Sequence, residues 1–274
     1  MSEIINLIKK NPDSHIYAEA VEILSSLLGA KNYSFILQVW NHEIPQDTKY
    51  PKVLISTSDE IHGIPDQVED ESFVHIFKQY APMEHPNHGH SVVSVDKVSP
   101  IPLCNLEGVV NQNIPINERE YDWSWMGQYD PFTRTHFRVA VDSLEKERPQ
   151  YKNRVLWYQG WNNGSSVEDY TETINNTKVA VVPIGSGSLE SFRFFEAMMC
   201  GCVVLNTALP DVMFYNVSPH LRMDGWTNLN EAMDRILSRP DEMEHLSKQA
   251  KEWYKDFCTP QSIAEYMYKK LESK

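Results

Sequence analysis

From about residue 121 onward, short apolar runs alternate with stretches of helical periodicity, and this alternation constrains the fold more than any other feature of the sequence. Trp123 to Met126 predicts a strand that ends at Gly127, and Thr135 to Glu147 a helix with Phe137, Val141 and Leu144 inward. A strand at 154–158, a short helix at 167–174, a wholly apolar strand at 179–182, a helix at 191–200 and a strand at 202–205 follow. Helices at 229–237, 243–257 and 263–271 close the chain. Strands separated by single helices build βαβ units, and these require a parallel sheet. The first hundred residues carry a fainter version. Tyr17, Val21, Leu24 and Leu28 recur at helical spacing before Gly29, strands are predicted at 33–39 and 52–56, and weaker ones at 73–80 and 91–95. Residues 97–120 hold Pro100, Pro102 and Pro115 among four asparagines, which is the composition of a linker.

The expectation is an α/β protein of two Rossmann-like domains facing a cleft, residues 1–115 and 116–258. A C-terminal helix at 259–274 would pack back on the first domain. In open α/β sheets ligands bind beyond the carboxyl ends of the strands. Composition narrows the ligand. With 25 Lys plus Arg and 38 Asp plus Glu, the formal charge is 25 − 38 = −13, so there is no basic footprint for duplex nucleic acid or anionic lipid. No run approaches the ~18 apolar residues of a membrane span, and Met1 to Ile5 shows no secretory leader. Cys104, Cys200, Cys202 and Cys258 make no Cys-x-x-Cys and suit buried positions in a reducing compartment. A soluble, cytoplasmic monomer or homodimer is expected, with no nucleic-acid partner.

Chemistry concentrates in Val179 to Leu205. An apolar strand runs into Pro183-Ile184-Gly185-Ser186-Gly187-Ser188, then into a helix that starts near Ser191. Gly185 and Gly187 permit close backbone approach, and Ser188 and Ser191 are good N-caps. A helix N-terminus beside such a loop favours an anion such as a diphosphate. Arg193 and Glu196, three apart, share a helix face, with Phe192, Phe195 and Met199 expected on the opposite, sheet-facing side. A guanidinium can bridge phosphate oxygens, and a carboxylate can accept both hydroxyls of a ribose. On spacing alone the two could equally form a surface ion pair.

The string Ser191-Phe192-Arg193-Phe194-Phe195-Glu196-Ala197, followed after three residues by Gly201-Cys202-Val203-Val204, resembles the signature of exostosin-like glycosyltransferases of the family 47 type. Val182 to Gly185 with Ser188, Trp123 to Gln128, and Leu156 to Gly160 are similar to neighbouring elements of that family. The resemblance covers about residues 120–210. It implies a GT-B fold, with an acceptor-side N-terminal domain and a C-terminal domain that binds the nucleotide-sugar. Arg193 would then contact the diphosphate and Glu196 the ribose, with Gly185, Ser188 and Ser191 near the phosphates and Gly127 and Gln128 bordering the pocket. The implied reaction inverts the anomeric centre of a UDP-sugar, with UDP-xylose favoured among the family's donors and a glycan hydroxyl as acceptor.

The sequence contains no Asp-x-Asp; Glu69-x-Glu71 and Glu145-x-Glu147 come nearest. A metal-independent reaction without cofactor is therefore expected, with Arg193 and the helix N-terminus offsetting the leaving-group charge. Inversion needs a general base. Asp59, Glu60 and His62, which follow the strand at 52–56, are the candidates. His85, His88 and His90 read first as an exposed loop, then as an acceptor loop, and last as a zinc site. Trp161 is the best exposed sugar-stacking candidate. A retaining GT-B transferase, a non-catalytic nucleotide- or glycan-binding protein and a sugar-nucleotide epimerase are the alternatives.

Overall fold

The computed structural model describes residues 2–7, 15–39, 43–57, 63–83, 93–160, 163–185 and 187–273. The chain divides into two compact units. Unit 1 comprises Met1–Glu107, Pro210–Asn216 and Lys255–Lys274; unit 2 comprises Gly108–Leu209 and Val217–Tyr254.

Unit 1 is a five-stranded parallel sheet in sequential order: β1 (Glu3–Asn6), β2 (Ser34–Val39), β3 (Lys52–Thr57), β4 (Phe73–Lys78) and β5 (Val98–Pro100). The inner strands are buried on both faces, as a covered parallel sheet requires. Helix α1 (His15–Leu28) buries Tyr17, Val21, Leu24 and Leu28 and packs against α8 (Pro260–Glu272), the last helix of the chain. A capping box between Thr259 and Ser262, with Pro260 in the first turn, fixes the start of α8. The Pro/Asn-rich segment is only in part a connector. It supplies the edge strand β5, where Pro100 is tolerated because one side of the strand has no partner among the described residues, and Ile101, Leu103 and Cys104 are buried. Residues 93–95 form no strand, so the pairing expected at 91–95 falls at 98–100 instead.

Unit 2 is also wholly parallel. Its strands are β6 (Tyr121–Gln128), β7 (Asn153–Tyr158), β8 (Thr177–Val182), β9 (Val203–Asn206) and β10 (Leu221–Arg222), in the order β10-β9-β8-β6-β7. The connections include α2 (Thr135–Glu147), α3 (Val167–Asn175), α4 (Phe192–Cys200), and the four-residue α5 (Met213–Asn216) assigned to unit 1. Then come α6 (Leu229–Leu237) and α7 (Pro240–Cys258). The core under α2 and α6 is built from Trp123, Trp125, Phe137, Val141, Val179, Leu205 and Met233. Strand order reverses between β6 and β8: the chain passes from β6 to β7 on one side, then to β8 on the other. That reversal opens a crevice at the carboxyl ends of β6 and β8.

Asp234 ties α6 to the end of α2. Its carboxylate accepts Arg148 Nη2 at 2.7 Å and the Tyr151 hydroxyl at 2.6 Å. These bonds, Arg148 first, hold the Asp234 carboxyl below its ordinary value, while burial and the same carboxylate push Tyr151 up to about 12. A depressed carboxyl contributes stability in full above its unfolded pKa of about 3.9 and loses it as pH falls through the folded value. Stability should therefore drop on acidification below about pH 4, and Asp234→Asn should flatten that part of the profile. Urea titrations between pH 6 and pH 3 test this; parallel profiles for the two proteins would contradict it.

Candidate active site

Of the residues expected at the donor site, the carboxyl ends of β6 and β8 bring together Gly127, Gln128, the Gly185 turn and Arg193. Arg193, in the first turn of α4, lays its guanidinium over the Trp125 indole, with Cζ 4.6 Å from the ring centroid. Gly127 permits this placement. A Cβ there would lie 2.7 Å from the Trp125 ring and 2.9 Å from Arg193 Nη2. Arg193 Nε is buried and has no hydrogen-bond partner among the described residues. Leaving a buried donor unmet costs about 1–3 kcal/mol, so a cation held in this way suits an anionic ligand.

The loop after β8 is equally tight. A Cβ on Gly185 would meet the Glu190 carbonyl oxygen at 2.5 Å and that of Ser188 at 3.0 Å, so the turn closes only on glycine. Ser188 is buried and its hydroxyl accepts the Glu190 N–H at 2.8 Å. Ser191 occupies the N-cap of α4 in extended backbone, but its hydroxyl makes no capping bond. Its expected capping contact is thus absent, and the nearby hydroxyl–amide bond is internal to the 188–190 turn.

Helix α4 is more enclosed than an amphipathic reading suggests. Phe194, Phe195, Ala197, Met198 and Cys200 are buried, whereas Phe192 and Met199 are only half-buried. The helix packs on two sides, and Trp253 of α7 meets both Phe194 (5.7 Å) and Phe195 (5.9 Å). Glu196 is 2% exposed, and its Oε2 accepts the Tyr170 hydroxyl of α3 at 2.6 Å. Burial, then the Glu196 charge, push the Tyr170 phenol well up, so it remains a donor to the carboxylate.

Two arginines invisible to hydrophobic patterning brace this site. Arg134, buried, donates to the Gln128 carbonyl at 2.7 Å and to the Ile184 carbonyl at 3.1 Å, joining the end of β6 to the loop after β8. Its guanidinium also lies 5.3 Å from the Trp125 ring. Arg119 is 3% exposed and clamps the other end of α4, donating to the carbonyls of Ile114, Thr177, Cys200 and Gly201. A cation at a helix C-terminus is favourable. Arg119→Met should lower unfolding stability by about 3 kcal/mol, since buried carbonyls lose charged donors. Thermal and urea denaturation measure this, and an unchanged midpoint would show the clamp to be dispensable.

Asp59, Glu60 and His62 lie outside the described residues, as do His85, His88, His90 and Trp161. Among the described residues no group of three His, Cys, Asp or Glu side chains is placed to hold a metal ion, and no helix is long and apolar enough to cross a membrane.

Residues 134–269 match the family described as "Glycosyl transferase-like". They resemble a glycosyl transferase domain. Solved structures similar to the whole chain agree on the fold. Sucrose-phosphate synthase from Thermosynechococcus elongatus is 15% identical over 96% of this chain and 81% of its own, with a TM-score of 0.53. AviGT4, a glycosyltransferase involved in avilamycin A biosynthesis, is 11% identical over 96% and 90%, also at 0.53. Anabaena HepE in complex with UDP is 9% identical over 93% and 82%, at 0.52. The chain has the GT-B fold of glycosyltransferases. No curated protein sequence matches it significantly. The match to the glycosyl transferase domain begins at Arg134 and takes in Tyr170, the Gly185 turn, Arg193 and Glu196.

Proposed function

We propose that the protein is an inverting glycosyltransferase that moves a sugar from a UDP-sugar to a hydroxyl of a glycan acceptor without a metal ion. A pentose donor, UDP-xylose first, follows from the exostosin resemblance. The observation that carries the reading is the convergence of Arg193, the Gly127 strand end and the Gly185 turn on the β6–β8 crevice. Arg193 would hold the diphosphate and offset charge on departing UDP. Glu196, oriented by Tyr170, would meet the ribose. Anabaena HepE, whose structure contains UDP, shares the fold.

Thermal shift with UDP in the presence of a chelator tests the donor half. At 100-fold excess over its dissociation constant, UDP should stabilise the protein by about 2.7 kcal/mol. Strict dependence on Mn²⁺ or Mg²⁺ would sink the metal-free reading. NMR of the glycoside product, formed from each UDP-sugar in turn, reports the donor and the anomeric outcome; a retained configuration would replace inversion.

A further inference from the structure

We propose that unit 2 carries a second carbohydrate site, a groove between α2 and the loop entering α6 that holds a neutral stretch of the acceptor glycan. The proposal rests on the glycosyltransferase reading above for the identity of its ligand, and on the groove itself for everything else. The groove encloses about 610 Å³, within the range of small-ligand sites. Its floor is aromatic. Phe137 is buried, and Trp226, half-buried, packs on it with ring centroids 4.7 Å apart. Its rim is polar: His136 from α2, Asp224 from the loop and Asn230 from α6. Asn230 is held in place, its Nδ2 donating to Glu147 Oε2 at 2.9 Å.

This lining selects a chemical class. Among the described residues it includes no Lys or Arg, and its one acid is Asp224. A phosphate, sulfate or uronate would therefore meet a negative field with no compensating cation. A hydrocarbon chain would cover the rim groups and leave them unpaired. A neutral pyranose or furanose chain satisfies both parts, placing C–H faces on the aromatic floor and hydroxyls on the rim.

A separate feature points the same way. Asp130 fixes a tight turn at the start of α2, its Oδ1 accepting the Phe132 N–H at 2.9 Å and its Oδ2 the Thr133 hydroxyl at 2.9 Å. That turn displays Phe132 at 96% exposure, beside Thr133, which lines the groove. A bare aromatic on a fixed turn is an efficient stacking surface, because little side-chain freedom is lost on contact.

The test titrates the full chain with maltohexaose, cellohexaose and xylohexaose, and with a hyaluronan hexasaccharide as the anionic comparison, by calorimetry with and without UDP. At least one neutral hexasaccharide should bind, UDP should not displace it, and hyaluronan should bind more weakly. Trp226→Ala should weaken that binding by about tenfold or more, as truncating an aromatic anchor does, and His136→Ala and Asn230→Ala by several-fold. UDP affinity should be unchanged in all three. If Trp226→Ala does not fold, the two rim variants decide. No neutral hexasaccharide bound, hyaluronan preferred, or wild-type affinity in the rim variants each overturns the groove proposal. Wild-type UDP binding is read separately. UDP bound without any neutral hexasaccharide overturns the groove alone, whereas hexasaccharide bound without UDP overturns the donor reading.

Discussion

Arg193→Ala should lower turnover by about 10²–10³-fold, the range for losing one preorganised donor to developing charge, while UDP affinity falls far less. Negative charge on the diphosphate grows as the glycosidic bond breaks, so a cation placed there acts more strongly on the transition state than on bound donor. The structure fixes the side chain. Trp125 supports the guanidinium from below, Gly127 leaves room for it, and its buried Nε has no partner among the described residues. Arg193→Lys should restore little, because an ammonium neither stacks flat on the indole nor presents a planar fork. Gly127→Ala should reproduce part of the loss by a different route, since the new methyl would fall 2.9 Å from Arg193 Nη2. Steady-state kinetics beside UDP calorimetry checks all three. Wild-type turnover in Arg193→Ala would reduce the side chain to a surface cation resting on a tryptophan.

Much of unit 2 was legible because its periodicities are long and clean. The helix expected at 229–237 has those bounds, and the apolar run at 179–182 is the buried end of β8. Unit 1 was harder for a physical reason. Strand β1 has four residues and β5 three, too few for alternation to register. The β5 sequence Val-Ser-Pro also carries the residue that ordinarily argues against a strand. The site was legible where glycine, serine and charge cluster in sequence, as at Gly185 to Glu196. It was not legible where charged residues go inside. Arg119 and Arg134 are buried because carbonyls at strand and helix ends converge on them, and a hydrophobicity pattern assigns such residues to the surface. Tyr170 escaped notice because its role comes from a contact 26 residues away in sequence. The burial of Glu196 has the same origin, since its carboxylate meets Tyr170 of α3.

Replacing the general base should cut turnover by about 10²–10⁴-fold with UDP affinity nearly unchanged. We propose that this base is one of Asp59, Glu60 and His62. They lie outside the described residues, but the strand that leads to them does not. All six residues of β3 are buried, and β3 ends at Thr57, at the carboxyl edge of the unit 1 sheet. Ligands of parallel sheets gather at such edges. The neighbouring strand β4 ends in Lys78, wholly buried and in register with Ser56. Asp59→Asn, Glu60→Gln and His62→Gln keep shape and remove basicity. In one of them turnover should collapse, UDP should still bind, and the acid limb of the pH–rate profile should disappear. Near-normal turnover in all three would move the base out of this segment, with His85, His88 and His90 next to be replaced. A retained anomer in the product would instead remove the need for any such base.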